Sequence, residues 1–264
     1  MRQTGLKQKL RAKETAFGMF INYPSPDLVE MAGLMGFDWV FIDTEHGPMG
    51  LETCSHMVRA AECVGLTAII RLPYPDPRLI NRALDTGAMG VLVPHLDSAE
   101  RAREIVAGAK YYPQGERGAG HGTRAADHGF RLKGAEYAAW ANEETMVFGI
   151  VEDGHALKNM PEILKVDGLT GVTIGPSDMS HSLGVPGQSN HPRVVEVVDE
   201  ITRLALASDK ALCRVAMSAT AEEAARYIAL GVPMIAVGVK NLIAQSGLDF
   251  IGKAKAAAAG RAKS

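Results

Sequence analysis

Residues 211–239 read ALCRVAMSATAEEAARYIALGVPMIAVGV, and this stretch contains the unit from which the fold of the whole chain can be predicted. Two apolar runs, Ala211–Ala216 and Met234–Val239, show no polar alternation, which is typical of strands buried on both faces of a parallel sheet. Between them, Thr220 precedes AEEAARYIAL, which has apolar residues at helical spacing and is followed by Gly231. The stretch therefore predicts a strand, a helix and a second strand.

The same unit recurs along the chain. The predicted strands are Phe17–Asn22, Trp39–Asp43, Thr67–Leu72, Gly90–Pro94, Val147–Glu152, Gly171–Gly175, Ala211–Ala216 and Met234–Val239. The predicted helices are Pro26–Met35, Leu51–Val64, Pro77–Thr86, Ser98–Ala109, Ala156–Lys165, Pro192–Ser208, Thr220–Leu230 and Asn241–Ala259. Eight units of about 30 residues fill the length that one such barrel needs. The sequence thus predicts one α/β domain, residues 1–264, folded as a (β/α)8 TIM barrel with an extra C-terminal helix. An open doubly wound sheet is the alternative, but no G-x-G-x-x-G follows an early strand.

Composition narrows the class of protein. The chain has 28 basic and 30 acidic side chains, a formal net charge of −2 and 47% hydrophobic residues, which argues against a nucleic-acid binder and against disorder. Cys54, Cys63 and Cys213 have neither the number nor the spacing of a disulfide framework or a thiolate zinc site. The first residues have no apolar run, and no stretch has the roughly 18 apolar residues of a membrane span. We expect a cytoplasmic enzyme without a nucleic-acid or membrane partner.

Two segments depart from the regular pattern. Residues Tyr111–Gly134 contain six glycines and several charges, and long connections of this kind are usually functional loops or lids. A solvated excursion is the alternative. The last residues, GKAKAAAAGRAKS at 252–264, are predicted to form the frayed end of the last helix.

Polar side chains follow five consecutive predicted strands. In a barrel, the carboxyl ends of the strands lie on one rim, where catalytic groups are found. Each residue alone has an ordinary explanation, such as capping the next helix, but five consecutive strands with ionisable or polar ends indicate an active site. These residues are Asp43, Thr44, Glu45, His46, Arg71, His95, Glu152, Asp153, Gly175, Pro176, Ser177 and Asp178.

The residue types indicate metal-assisted chemistry. Glu152 and Asp178, one strand–helix unit apart, are suited to bind one hard divalent cation such as Mg²⁺ or Mn²⁺, although an acid–base pair without metal is the alternative. Free backbone N–H groups around Gly175-Pro176-Ser177-Asp178 would receive a carboxylate or phosphate. Arg71 offers a fixed positive charge, and His46 suits proton transfer at neutral pH. Asp43 and Asp85 are the carboxylates considered for orienting the imidazole.

Five motifs resemble, in order, the HpcH/HpaI aldolase family of metal-dependent pyruvate aldolases. They are FIDTEHGPMG at 41–50, LDTGAMGVLVPHLDSAERAREIV at 84–106, YYPQGERGAG at 111–120, EDGHALKNMPEIL at 152–164 and GVTIGPSDMSHSLG at 171–184. The resemblance implies a (β/α)8 barrel, a homohexamer that exchanges its last helix between protomers, and a Mg²⁺, Mn²⁺ or Co²⁺ ion. It also implies reversible cleavage of a 4-hydroxy-2-oxo acid to pyruvate and an aldehyde, as in the catabolism of aromatic compounds.

The resemblance further implies residue roles. Glu152 and Asp178 match the metal ligands, His46 the base, and Arg71 the group that stabilises the enolate. Asp85 matches the carboxylate that raises the basicity of the histidine, and the backbone N–H of Ser177 matches a donor to the pyruvate carboxylate. One departure is Ile150, where many members carry a glutamine that contacts the substrate.

The residues are consistent with a mechanism in which a 2-oxo acid chelates the cation. The cation stabilises the enolate left when the C3–C4 bond breaks, Arg71 shares that charge, and His46 takes the C4 hydroxyl proton, alone or through a water. Three alternatives remain. A malyl- or citryl-thioester lyase or an oxaloacetate decarboxylase would use the same enolate, Lys240 at the end of the last strand would form the Schiff base of a different aldolase, and an inactive barrel would serve only for binding.

Overall fold

The structure, a computed structural model that describes residues 5–261, contains a closed barrel of eight parallel strands. The strands follow one another around the barrel in chain order, and the last pairs with the first, with Ala236 beside Gly18. Their bounds are β1 Ala16–Ile21, β2 Trp39–Asp43, β3 Thr67–Arg71, β4 Gly90–Val93, β5 Met146–Val151, β6 Gly171–Ile174, β7 Ala211–Ala216 and β8 Met234–Gly238. The predicted α/β class and barrel are confirmed, and every predicted strand overlaps an observed one.

Helices connect the strands and surround the barrel. They are α1 Gly5–Arg11, α2 Pro26–Leu34, α3 Leu51–Cys63, α4 Pro77–Asp85, α5 Ala99–Ala109, α6 Ala135–Glu144, α7 Met160–Ile163, α8 Pro176–Ser182, α9 Pro192–Leu206, α10 Ala221–Ala229 and α11 Val239–Arg261. Short 3-10 helices occupy Arg124–Gly129 and Gly154–Asn159. Because each connecting helix returns the chain to the start of the next strand, all eight strands run in the same direction.

Capping side chains fix several helix starts near the rim. Ser98 accepts a hydrogen bond from the backbone N–H of Arg101, and Thr220 accepts one from that of Glu223. Each cap supplies an acceptor to a first-turn amide that has none within its helix. These helices therefore begin where the Ser and Thr residues in the sequence predict.

The core has two shells. One lies between the strands and the surrounding helices, and the other fills the barrel interior with large side chains that include Trp39, Phe41 and Phe148. Gly18 faces Trp39 across β1 and β2, and a Cβ atom there would lie 2.2 Å from the Trp39 Cε2 atom. A glycine is therefore required beside the largest side chain of the interior.

Three helices were not predicted from the sequence. In α1, Leu6 is fully buried in the interior shell and closes the amino-terminal end of the barrel, and Leu10 packs against the same shell. In α6, Tyr137 and Ala141 are buried under the preceding loop, and α8 is only seven residues long. Helices α1 and α8 are seven residues long and bury one and two side chains, too few for helical periodicity to be recognised, which explains these two omissions.

The glycine-rich segment Tyr111–Gly134 is not a lid over this chain's own cavity. It follows α5, whose last residues lie at the amino-terminal end of the barrel, opposite the rim that carries the predicted site. Arg117 in this segment donates to Asp85 at 2.9 Å, and Arg124 donates to Glu62. Ion pairs thus connect the segment to the ends of α4 and α3. A loop surrounded only by solvent would not have these contacts.

The last helix, predicted over Asn241–Ala259, runs from Val239 to Arg261, two residues longer at each end. Alanine, lysine and arginine, which are frequent in its last part, favour the helical conformation. Residues 262–264 of the predicted frayed end lie outside the described part of the chain. Within residues 5–261, none of the helices combines the length and the apolarity that crossing a membrane requires.

Candidate active site

A cavity of about 400 Å³ opens at the carboxyl ends of the strands. Most of the predicted site residues line it. The lining consists of Phe20, Asn22, Asp43, His46, Arg71, Leu92, Ile150, Glu152, Thr173, Ile174, Gly175, Pro176, Ser177, Asp178, Val215, Ala216, Met217, Gly238, Lys240 and Asn241. The prediction that polar residues at the strand ends lie together therefore holds for most of them, although they are far apart in the sequence.

Arg71, the last residue of β3, is buried between two carboxylates. Its Nη1 atom lies 3.6 Å from the Asp43 Oδ2 atom, and its Nη2 atom forms an ion pair with Glu45. The Nε atom of Arg71 is buried and has no hydrogen-bond partner among the described residues. A buried guanidinium on the cavity wall is suited to attract an incoming anion.

The Glu45 carboxylate is perturbed by the same pocket. Burial raises the pKa of Glu45 above the ordinary value for a glutamate, and the positive charge of Arg71 opposes that shift. A raised pKa at a strand end marks a carboxylate that is partly removed from water. Sequence reasoning placed Glu45 on the rim but gave it no role, because its contact with Arg71 depends on the pairing of β2 and β3.

Asp43 shapes the loop that carries His46. One oxygen of Asp43 accepts from the backbone N–H groups of Glu45 at 3.1 Å and His46 at 3.2 Å. The other oxygen faces Arg71. The contacts of Asp43 are therefore with the backbone of His46, whereas the exposed imidazole lies on the cavity wall.

Glu152 is the most buried carboxylate on the opposite wall. Its Oε1 atom accepts from the backbone N–H of His95 at 2.8 Å and lies 3.0 Å from the His95 Nδ1 atom. The backbone of His95 has a φ of +57°, in the left-handed region that non-glycine residues rarely adopt. His95 was placed on the rim from the sequence, but its contact with Glu152 was not foreseen, and the strained backbone is the structural signal for it.

Gly175 leaves open space beside Glu152. A Cβ atom at position 175 would lie 2.9 Å from the Glu152 Cβ atom and 3.2 Å from its Oε2 atom. The missing side chain thus keeps one oxygen of Glu152 uncrowded, while the other is held by His95. This arrangement presents a single oxygen of a buried carboxylate to the cavity.

Asp178 and Ser177 complete this wall. Both are exposed and belong to the first turn of α8, where backbone N–H groups have no acceptor within the helix. Among the described residues no group of three or more histidine, cysteine, aspartate or glutamate side chains is arranged to hold a metal ion. Two carboxylates fit the ion that keeps several waters and substrate oxygens as ligands, which is how Mg²⁺ is usually bound.

Asp85 lies away from the cavity. It is the last residue of α4, at the amino-terminal end of the barrel, and it forms an ion pair with Arg117. It therefore does not contact His46 of the same chain. The sequence motif could not reveal this, because a motif gives the order of residues and not the end of the barrel at which they lie.

The side of the cavity formed by β1 and β8 carries a different set of groups. Asn22 follows β1, and Lys240 and Asn241 follow β8. The Asn241 Nδ2 atom donates to the backbone oxygen of Met217 at 2.9 Å. Ile150 lies on the cavity floor and is almost fully buried, so it offers no polar contact where a glutamine would.

A barrel with these strand-end residues matches one known family. The HpcH/HpaI aldolase/citrate lyase family matches residues 16–245, and the chain belongs to this family. A 2-keto-3-deoxy-L-rhamnonate aldolase of Klebsiella pneumoniae subsp. pneumoniae is 37% identical over 243 residues, which cover 92% of this chain and 90% of that protein. The protein of that name in Escherichia coli strain K12 is 34% identical over the same length.

Solved structures agree with the sequence matches. An HpcH/HpaI aldolase from Desulfitobacterium hafniense DCB-2 superposes with a TM-score of 0.87 at 30% identity, covering 95% of this chain and 96% of that one. Citrate synthase SbnG superposes with a TM-score of 0.86 at 31% identity, covering 97% and 99%. The predicted family and the predicted class of enzyme, an aldolase that acts as a carbon–carbon lyase, are confirmed.

Proposed function

We propose that the cavity catalyses the reversible cleavage of a 4-hydroxy-2-oxo acid to pyruvate and an aldehyde, with a divalent cation held by Glu152 and Asp178. The observation that carries the proposal is the arrangement of charges around the cavity. Two carboxylates that follow neighbouring strands line the same cavity as a buried arginine and an exposed histidine. A divalent cation bound there would act as a Lewis acid toward the oxygens of a 2-oxo acid.

The protein side chains then have separate tasks. The first-turn backbone N–H groups of Ser177 and Asp178 receive the substrate carboxylate. His46 takes the proton of the C4 hydroxyl, the C3–C4 bond breaks, and its electron pair passes to C3 as the enolate of pyruvate while the aldehyde leaves. The positive charge of the Arg71 guanidinium, which lines the cavity, stabilises the negative charge of that enolate. Protonation at C3 then releases pyruvate.

The metal requirement is tested by chelation. Exhaustive removal of divalent ions should abolish pyruvate release from a 4-hydroxy-2-oxo acid, and Mg²⁺, Mn²⁺ or Co²⁺ should restore it. Glu152→Gln and Asp178→Asn should weaken Mn²⁺ binding in a titration, whereas Glu62→Gln, at the other end of the barrel, should not. Activity that survives chelation and is lost on borohydride reduction with substrate would instead support a Schiff base at Lys240.

The relatives named above guide the choice of substrate. Their names indicate a deoxy sugar acid rather than the aromatic catabolites expected from the motifs, so 2-keto-3-deoxy-L-rhamnonate belongs in the first panel. The similarity to a citrate synthase favours assays of oxaloacetate decarboxylation and of malyl- and citryl-thioester cleavage in parallel, because all of these reactions share the enolate. Cleavage of the 4-hydroxy-2-oxo acid, without activity on oxaloacetate or the thioesters, would support the aldolase.

We also propose that the enzyme works as a cytoplasmic homo-oligomer, and as a hexamer by the resemblance described above. Helix α11 leaves apolar side chains exposed, including Leu248 at 70% and Phe250 at 73%. A second copy of the chain is the occupant that would cover them. Since Asp85 lies at the other end of its own barrel, it can orient a His46 imidazole only across such an interface. Light scattering of the full chain and of Phe250→Asp tests this, and a monomeric wild type would contradict it.

A further inference from the structure

One charged side chain lies in the apolar layer between the strands and the helices. The outward-facing positions of the eight strands carry apolar residues or glycine, except for Arg214 on β7. Its neighbours on the same face of that strand, Leu212 and Ala216, belong to the apolar shell. A charge that is partly removed from water costs free energy unless a partner compensates it. The surroundings of Arg214 should therefore show what its charge binds.

A groove of about 730 Å³ opens beside Arg214, between α9 and α10 on the outside of the barrel. This volume is in the range of sites for small organic ligands. Apolar side chains of both helices, such as Val195 and Leu230, form part of its wall. Pro176 and Met217 lie on the rim between the groove and the catalytic cavity and line both, but Val215 of β7 lines only the cavity. Successive strand residues point to opposite faces, so β7 separates the two spaces.

The hydrogen bonds of Arg214 go to neutral oxygens. Its Nη1 atom donates to the Thr202 hydroxyl at 2.8 Å, and its Nη2 atom donates to the Tyr227 hydroxyl at 3.5 Å. The Thr202 hydroxyl donates its own proton to the backbone oxygen of Val198, and the Tyr227 hydroxyl donates to Glu223. These contacts fix the orientation of the guanidinium and leave its positive charge without a counter-charge.

A second arginine contacts the same aromatic ring. The Cζ atoms of Arg214 and Arg226 lie 4.9 Å and 5.3 Å from the centre of the Tyr227 ring, and Tyr227 is buried. Neither of these arginines has a carboxylate oxygen within 4.0 Å among residues 5–261. A third arginine of the groove, Arg203, is paired with Glu200. Two positive charges therefore lie together on the wall of one groove.

The acidic side chains of the groove do not pair with these two arginines. Glu223 accepts hydrogen bonds from the backbone N–H groups of Met217 at 3.1 Å and Ser218 at 2.7 Å, and from the Tyr227 hydroxyl. Asp199 is exposed to water and forms no ion pair within the described part of the chain. The groove thus keeps two guanidinium groups available to an anion from solution.

We propose that the groove between α9 and α10 is a binding site for a small organic anion, whose phosphate or carboxylate group is held by Arg214 and Arg226. Guanidinium groups carry N–H donors in a planar arrangement that matches the oxygens of these anions. The apolar wall contacts the rest of the ligand. The inference is independent of the proposed function, because Glu152, Asp178 and His46 do not line the groove.

The test measures the binding of inorganic phosphate and of acetate to the metal-free full chain by titration calorimetry. Ionic strength is held constant, since salt screens exposed charges. We expect at least one of the two anions to bind at one saturable site per protomer, and the tighter one identifies the charged group of the ligand. Arg214→Met and Arg226→Met should each weaken that binding about 10- to 100-fold, the usual range for a charge-assisted contact. Arg214→Lys should keep part of the affinity.

Arg71→Ala and Arg59→Met are the controls. Arg71 lines the catalytic cavity, so the first variant shows whether the anion binds there instead. Arg59 is exposed on α3, so the second removes the same charge from another face of the protein. Both should bind the anion as wild type does. A methionine at position 214 meets apolar neighbours and Arg226 is exposed, so both groove variants should fold, which thermal unfolding checks.

Three outcomes would overturn the proposal. They are the absence of saturable binding of either anion to wild type, equal affinities in wild type and both groove variants, and a loss of binding in Arg71→Ala alone. Pyruvate release from a 4-hydroxy-2-oxo acid is assayed on the same preparations after Mg²⁺ is added. A wild type that binds the anion through Arg214 and releases no pyruvate would contradict the proposed function and support the anion site.

Discussion

At the amino-terminal end of the barrel, buried charges meet partners within the chain. Lys110 donates to the backbone oxygens of Asn142 and Thr145, both at 2.6 Å, and Arg117 pairs with Asp85. At the carboxyl-terminal end, Arg71 keeps an unpaired Nε donor and Lys240 has no counter-charge among the described residues. The same eight strands form both ends of the barrel, so the difference in charge pairing between the ends does not come from the sheet.

The contrast shows which end serves folding and which end serves binding. Leu6 and the loop ion pairs close the first end, where the buried charges have their partners within the chain. The second end retains donors and carboxylates that only a ligand would satisfy, which is the usual mark of a functional site. Substitutions at the carboxyl-terminal end should therefore lower activity more than stability, and substitutions at the amino-terminal end should change stability more than activity.

The largest effect on activity is expected at His46. In His46→Ala, cleavage should fall about 10²- to 10⁴-fold, the usual range for one general base, and deuterium exchange at the methyl group of pyruvate should fall with it. Metal and pyruvate binding should persist, because His46 is exposed and makes no contact that holds the cavity together. His56→Ala, on α3 outside the cavity, is the control. Cleavage within about threefold of wild type in folded, metal-saturated His46→Ala would reject the assignment.

A smaller loss is expected at Arg71. Removing one donor to a developing negative charge typically costs about 10²- to 10³-fold in rate, so kcat of Arg71→Ala should fall by that factor while the metal remains bound. Arg71→Lys keeps a positive charge without the planar guanidinium, so its kcat should lie between those of wild type and Arg71→Ala. Full activity of Arg71→Ala in steady-state assays would show that the enolate charge is stabilised elsewhere.

Gly175 tests the space beside Glu152. The added methyl group of Gly175→Ala would lie 2.9 Å from the Glu152 Cβ atom and displace that carboxylate. We expect about 10- to 100-fold weaker Mn²⁺ binding, as for other groups that position a ligand. Gly122→Ala, where a Cβ atom would meet nothing within 4 Å, is the matched control. Equal Mn²⁺ affinities in the two variants would show that a glycine is not required at position 175.

The smallest effect on activity is expected at Lys110, at the other end of the barrel. Burial lowers the pKa of Lys110 to about 8 from its ordinary 10.5. Between those two values the unfolded chain holds more protons than the folded one, so this group makes stability rise as the pH rises from about 8 to 10.5, by at most about 3 kcal/mol. Urea unfolding should show this rise in wild type and not in Lys110→Met.

Activity of Lys110→Met at pH 7 should match that of wild type, since the residue lies far from the cavity. A variant too unstable to purify would be replaced by Lys110→Gln, which keeps a donor for the two carbonyl oxygens. If the free energy of unfolding changes with pH to the same extent in wild type and variant, Lys110 does not contribute to that change.

Local sequence patterns determined the barrel and the rim that carries the site. Apolar runs such as Trp39–Asp43 and caps such as Ser98 are read from neighbouring residues, and a parallel barrel places all strand ends together. Only the tertiary structure decided which of the polar residues meet. His95 reaches Glu152 across 57 positions of sequence, and Arg117 holds Asp85 across 32. Periodicity is a local property, whereas such contacts depend on where whole strand–helix units pack.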